Sequence, residues 1–200
     1  MIEIAICLAI IGFALVAIIG VLPLGMNTQR DVREETIINQ DATVLLEAIR
    51  SGGQGATDLP NYVYAITNEA APGTNFDSSY LTSTKRIVGL LSTPGGGHMV
   101  ASVRAMSGLA AQLPPQDNTT LLGDSFSYKV VCVNVDVQGA NNVLQKNLHE
   151  LRMTFLWPLL PNGNVGNGRQ TFRATISGQQ AVNTNSTPWL YFYQPQTYAP

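Results

Sequence analysis

The sequence predicts an α+β fold: a long N-terminal helix, membrane-spanning in its first half, packed on an antiparallel β-sheet. Three observations predict it: an uncharged apolar stretch at Ile4 to Met26, helically spaced apolar residues after it, and alternating β-type segments in the second half of the chain. We expect a transmembrane helix at 1–26, an amphipathic continuation at 27–51 and a β-rich globular domain at 52–200.

The composition argues against nucleic-acid binding. Charged residues make up 12% of the chain, about half the usual share, and the formal net charge is −2. Without a positive field, a nucleic-acid partner has no electrostatic support, and none is expected. Cys7 lies in the apolar stretch and Cys132 in a strand-like segment, so we expect no disulfide between them.

The apolar stretch is longer than the roughly 20 residues that cross a bilayer as a helix. A cleaved secretory signal fits poorly, because it has a basic start and an apolar region of about 7–15 residues, whereas this chain begins with Met1, Ile2 and Glu3. A generic single-pass anchor fits the length but gives Glu3 no role. The positions predicted to face the membrane interior include Ile4, Ile10, Gly12, Leu15, Ile19 and Leu22.

An amphipathic pattern follows the apolar stretch. Apolar side chains recur with helical spacing at Ile38, Ala42, Leu45, Leu46 and Ile49, and we predict that this stripe packs against the sheet. Gly52 and Gly53 predict the end of the helix. Pro23 predicts a kink near the membrane exit, since proline removes a helical hydrogen bond.

The sequence predicts several strands in the second half of the chain. We expect irregular structure over Gln54 to Thr84, with brief helical or strand pieces. The predicted strands that follow are Arg86–Leu91, Met99–Met106 (where a helix fits the spacing too), a central strand Phe126–Val137 with apolar residues on both faces of its middle, His149–Trp157 and Arg169–Ser177. The last two alternate cleanly, which predicts an antiparallel hairpin with one dry face. The aromatic segment from Trp189 to Tyr193 fits either an edge strand of this sheet or a contact surface for a neighbouring subunit.

No constellation of catalytic residues emerges. His98 and His149 are not in a metal-ligand spacing, and no two carboxylates read as an acid–base pair. We therefore expect no enzymatic activity, no cofactor and no metal. Asp117, Asn118 and Asp124 are read as a polar turn, with a calcium loop as the alternative.

The N-terminal residues Ile2-Glu3-Ile4-Ala5-Ile6 and the apolar run after them resemble the N-terminus of type IV pilins and type II secretion pseudopilins. In that family a prepilin peptidase cleaves after a glycine, which here would lie upstream of Met1, and the new N-terminus is methylated. Glu3 matches the family's glutamate, which is thought to pair with the N-terminal amine of a neighbour. Pro23 falls near the membrane exit, where a helix-breaking proline recurs in the family. The resemblance thus makes Glu3 and Pro23 the assembly residues.

The resemblance implies a structural subunit, with a minor pseudopilin favoured, of a type II secretion or type IV pilus-like filament. It implies a single-pass protein of the bacterial inner membrane with its C-terminal domain in the periplasm. The implied partners are other pilin-like subunits, the prepilin peptidase and an assembly platform. The alternative is a membrane-anchored periplasmic binding or adhesion domain that does not polymerise.

Overall fold

A computed structural model describes residues 2–69, 74–95, 97–107, 126–137 and 142–198. The chain divides into two compact units, Met1–Ile37 and Ile38–Pro200. The elements in chain order are α1 (Ile2–Arg50), a 3-10 turn (Leu59–Asn61), β1 (Val63–Asn68), β2 (Asn75–Asp77), α2 (Thr84–Leu91), β3 (Met99–Arg104), β4 (Ser127–Asp136), α3 (Asn142–Asn147), β5 (Leu148–Leu159), β6 (Val165–Ser177), β7 (Gln179–Asn183) and β8 (Leu190–Gln194).

Helix α1 supplies the whole described part of the first unit. It contains a segment long and apolar enough to cross a membrane, and none of that segment is buried within the protein. Pro23 lies inside the helix. The prediction of a long apolar N-terminal helix is confirmed.

The second unit is built on a six-stranded antiparallel sheet with the order β2-β1-β3-β4-β5-β6. Its core face is lined on the central strands by Tyr128, Val130, Phe155 and Leu151, all fully buried. Because successive side chains of a strand point to opposite faces, the residues between them lie on the outer face. The predicted α+β class, with an antiparallel sheet, is confirmed at this level.

The last part of α1 lies over the core face. Ile38, Ala42, Leu45 and Ile49 are buried and belong to one hydrophobic cluster with residues of β3, β4 and β5, and Leu46 is half-buried against that cluster. Full burial of a leucine or isoleucine side chain stabilises the fold by about 1.5–3 kcal/mol. The helix therefore forms one layer of the domain core.

The strand predicted at Arg86–Leu91 is wrong, because this segment lies in helix α2. A short, continuous apolar run fits either structure, so local spacing could not separate them. Packing against the C-terminal strand β8 favours the helix: a Cβ on Gly89 would lie 2.7 Å from the Cβ of Leu190. The absent side chain at Gly89 thus permits close contact between α2 and β8.

Three further predictions concern strands of the sheet. The stretch from Gln54 to Thr84, predicted to be irregular with brief helical or strand pieces, contains the short strands β1 and β2, and β1 pairs with both β2 and β3. The strand predicted over His149–Trp157 continues through Pro158 to Leu159, with a shift in register after Trp157. Strand β4 lies in the interior of the sheet, as predicted, and its outer face carries Val131 and Val133, both half-buried.

The C-terminal aromatic segment joins neither edge of the six-stranded sheet. Strand β8 pairs with β7 in a separate two-stranded sheet. Leu190 and Tyr193 are buried in the core, whereas Trp189 is 57% exposed. The structure thus buries part of this segment within the domain and leaves Trp189 at its surface.

We predict that Leu45→Ala lowers the free energy of unfolding by about 2–5 kcal/mol, because it opens a cavity in a close-packed core. Denaturant unfolding of the full chain in neutral detergent, followed by tryptophan fluorescence, measures the change. Val44→Ala is the matched control, since Val44 is 45% exposed on the same helix. Equal losses in both variants would contradict the assignment of this helical face to the core.

Candidate functional site

The N-terminal part of α1 presents an apolar surface that none of the described residues covers. The predicted membrane-facing side chains of Ile4, Ile10, Leu15, Ile19 and Leu22 are all exposed. Exposure reaches 79% at Phe13, and a Cβ added to Gly12 would meet nothing within 4 Å. Exposed apolar surfaces of this extent mark contact with a membrane or with another protein.

Glu3 lies in the first turn of this helix. Within the part of the chain that the structure describes, its carboxylate is exposed and no ion pair includes it. A carboxylate near the N-terminus of a helix gains a few tenths to about 1 kcal/mol from the helix dipole. In an apolar medium it also requires a cation or hydrogen-bond donors. The geometry leaves Glu3 able to accept them from another molecule.

A second polar feature joins α1 to the sheet, and the sequence analysis missed it. Asp41 is fully buried among the apolar residues of the helix stripe. Its carboxylate accepts hydrogen bonds from the backbone N–H of Met106 at 2.9 Å, from the hydroxyl of Tyr128 at 2.8 Å and from the hydroxyl of Ser107 at short distance. Donors from β4 and from the segment that follows β3 therefore meet one helix side chain.

The electrostatics of Asp41 follow from its burial. Burial raises the pKa of Asp41 above its ordinary value of 3.8, and the hydrogen bonds from Ser107, Met106 and Tyr128 act in the opposite direction. Burial also holds the pKa of the Tyr128 hydroxyl well above its usual range, with a further contribution from the charge of Asp41. Tyr128 thus stays protonated and donates to the carboxylate.

The sequence contained one signal for this network. Asp41 lies three residues after Ile38 and one residue before Ala42, inside the stripe that predicts burial. An acid at such a position must find donors, because an unpaired buried charge is too costly to keep. The identity of those donors is not readable from the sequence, since they lie more than 60 residues away along the chain.

The two histidines occupy different surroundings. His98 lies 3.2 Å from Glu69, and both side chains are more than half exposed. His149 is buried, with its Nδ1 2.8 Å from Asp136 Oδ1 and its ring against that of Tyr193.

Within the described ranges, no three side chains among His, Cys, Asp and Glu could together hold a metal ion. The polar turn or calcium loop predicted at Asp117, Asn118 and Asp124 lies outside the described residues, and the expectation that the chain is not an enzyme stays a prediction.

The two cysteines are both free and differ in reactivity. Cys7 is exposed on the apolar part of α1. Cys132 is buried, and burial raises the pKa of its thiol to about 12. Since the thiolate is the reactive form, Cys132 is inert and Cys7 is the accessible thiol.

Comparison of the chain with protein-family models, curated proteins and solved structures found no match.

We predict that Asp41→Ala lowers the free energy of unfolding at neutral pH by on the order of 1–3 kcal/mol, because it leaves buried donors without an acceptor. Denaturant unfolding of the full chain in neutral detergent measures the loss. Asp31→Ala is the control, since Asp31 is an exposed acid on the same helix.

Asp41→Ala and Asp31→Ala should also differ in how the free energy of unfolding depends on pH. Because the pKa of Asp41 is higher in the folded state than its ordinary 3.8, the folded state holds the proton more tightly than the unfolded state. Stability from this group is therefore present below pH 3.8 and is lost as the pH rises through the raised pKa. We expect Asp41→Ala to remove this slope from a pH series and Asp31→Ala to retain it; an unchanged slope in Asp41→Ala would contradict the assignment.

Proposed function

We propose that this protein is a structural subunit of a pilin-like filament, with a minor pseudopilin of a type II secretion system as the favoured role and a type IV pilus subunit next to it. The subunit waits in the bacterial inner membrane with its C-terminal domain in the periplasm. It enters the filament through its apolar N-terminal helix. The proposal rests on the N-terminal resemblance together with the difference between the first and last parts of α1.

The difference between the two parts of α1 is the observation that carries the proposal. The first part of α1 is apolar, exposed and headed by one acid, Glu3, whereas its last part is an integral layer of the domain core. A plain membrane anchor requires only the apolar length. A helix that is at once a membrane segment and a core element suits a subunit whose helix must be held firmly by the domain that it carries.

Glu3 has a specific role in this proposal. In the low-dielectric surroundings of packed apolar helices, an isolated carboxylate is costly, and an opposite charge offsets much of that cost. The N-terminal amine of a neighbouring subunit is such a charge. Glu3 then fixes the axial alignment of neighbouring helices, because a helix shifted along its axis would leave both charges unpaired.

Pro23 and the partners complete the proposal. Proline in a helix removes one backbone hydrogen bond, so the helix around Pro23 is the place that can extend when subunits pack together. The partners are other pilin-like subunits, a prepilin peptidase that processes the N-terminus and an assembly platform in the inner membrane. The competing function is a membrane-anchored periplasmic binding or adhesion domain, which needs neither Glu3 nor contacts between copies.

We predict that Glu3→Ala leaves membrane insertion intact and abolishes assembly. Cys7 provides the readout, because it is the accessible thiol and lies one helical turn from Glu3. Oxidative cross-linking of Cys7 in membranes of the native host reports helix–helix contact between copies, and shearing of cells reports filament incorporation. We expect both signals to fall to background in Glu3→Ala.

Two controls sharpen this experiment. Asp31→Ala removes an exposed acid from the same helix beyond the apolar segment, and it should leave cross-linking and incorporation unchanged. Carbonate extraction verifies that Glu3→Ala remains an integral membrane protein. Undiminished incorporation of Glu3→Ala would sink the proposal. Wild-type protein that inserts but neither cross-links nor appears in the sheared filaments would favour the non-polymerising anchor.

A further inference from the structure

The outer face of the sheet carries a group of positive side chains on its last three strands. Lys129 on β4, Arg152 on β5, and Arg169 and Arg173 on β6 alternate with the core-facing residues of these strands. All four are exposed or half-exposed. We call these four residues the basic sheet face.

The strand register brings these cations close together. Arg152 lies directly opposite Arg173, while Leu156 lies between Lys129 and Arg169 in a row four residues away. Residues directly opposite each other have Cβ atoms about 4.5–5.5 Å apart, and like charges in that arrangement are destabilising. The four cations occupy an area of about 10 by 13 Å, from the strand spacing and the rise per residue.

The described part of the chain does little to neutralise this charge. Arg152 donates to Glu150 at 3.2 Å, but this pair is well exposed and such pairs contribute about 0–1 kcal/mol. Lys129 donates to the carbonyl of Gly163 at 2.9 Å, which leaves its charge unpaired. Arg169 and Arg173 form no ion pair with any described residue. The face therefore keeps a local excess of positive charge.

This excess contrasts with the rest of the molecule. The chain has 11 Lys and Arg against 13 Asp and Glu. The four cations and Glu150 leave seven cations and 12 carboxylates for all other positions. An acidic protein thus concentrates positive charge on one flat surface, which gives that surface an electrostatic preference of its own.

The chemistry of the face fits an acidic protein better than a polynucleotide. Aliphatic side chains lie among the cations, including Val131, Val133, Leu156 and the 45% exposed Val135. Arginine beside apolar groups is typical of protein interfaces, and guanidinium groups bind carboxylates with two parallel hydrogen bonds. The outer positions of β4, β5 and β6 carry no aromatic residue on which a base could stack.

We infer that the basic sheet face is a docking surface for the acidic surface of a partner protein. Carboxylates of the partner pair with Arg169, Arg173 and Lys129, and its apolar side chains contact the valines between them. This inference does not depend on filament assembly, because the residues involved lie on strands far along the chain from Glu3.

A defined acidic probe tests it. The full chain in neutral detergent is titrated against a short fluorescent polyglutamate peptide, and binding is followed by anisotropy at low and physiological salt. We expect salt-sensitive binding that the double variant Arg169→Gln, Arg173→Gln weakens by about tenfold or more, as for close charge pairs at interfaces. Arg169→Lys, Arg173→Lys should give a smaller loss, because it keeps the charge and removes the paired hydrogen bonds.

The matched control is Lys85→Gln, Lys146→Gln, which removes the same net charge from exposed positions elsewhere. It should bind as the wild type does. An equal loss in this control would reduce the effect to net charge and overturn the inference. Tighter binding of duplex DNA or heparin than of polyglutamate would overturn the assignment to a protein partner, and the absence of polyglutamate binding would overturn the site itself.

Discussion

The buried carboxylate of Asp41 is the constraint on which the globular unit depends. A buried charge requires hydrogen-bond donors, and these come from the segment that follows β3 and from the start of β4. Apolar contacts between α1 and the sheet are non-directional one by one, and they hold the helix through the fit of its side chains into the core. The hydrogen bonds that Asp41 accepts from Met106 and Tyr128 add a directional constraint, because they form only where Asp41 faces these two donors. The network thus orients the helix, while the surrounding apolar core supplies the bulk of the stability.

The two parts of α1 differ in what surrounds their side chains. Its last part is a core layer, and its first part exposes apolar residues that none of the described residues covers. The sheet shows a similar contrast, with a dry face under the helix and a wet, positively charged face on the other side. The proposed filament contact and the inferred docking surface therefore involve separate residues, so one can be disrupted without the other.

Most of the fold was predictable where the pattern was periodic. The helix stripe from Ile38 to Ile49 and the alternating strand β6 show their periods clearly, because each has one buried face and one exposed face. The error at Arg86–Leu91 arose because the five residues after Arg86 include no polar side chain, so that both periods fit. Contact with Leu190, about 100 residues away along the chain, separates these options. No local pattern carries that contact.

The candidate sites, like the fold, were predictable from the sequence only in part. The sequence by itself determined the apolar segment, the acid at its head and the helical face that would be buried, because hydropathy and spacing are local properties. Only the tertiary structure decided that Asp41 receives donors from Met106 and Tyr128, that β8 packs on α2, and that Arg152 faces Arg173 across two strands. These features arise from strand order and register, which bring together residues that the sequence keeps apart.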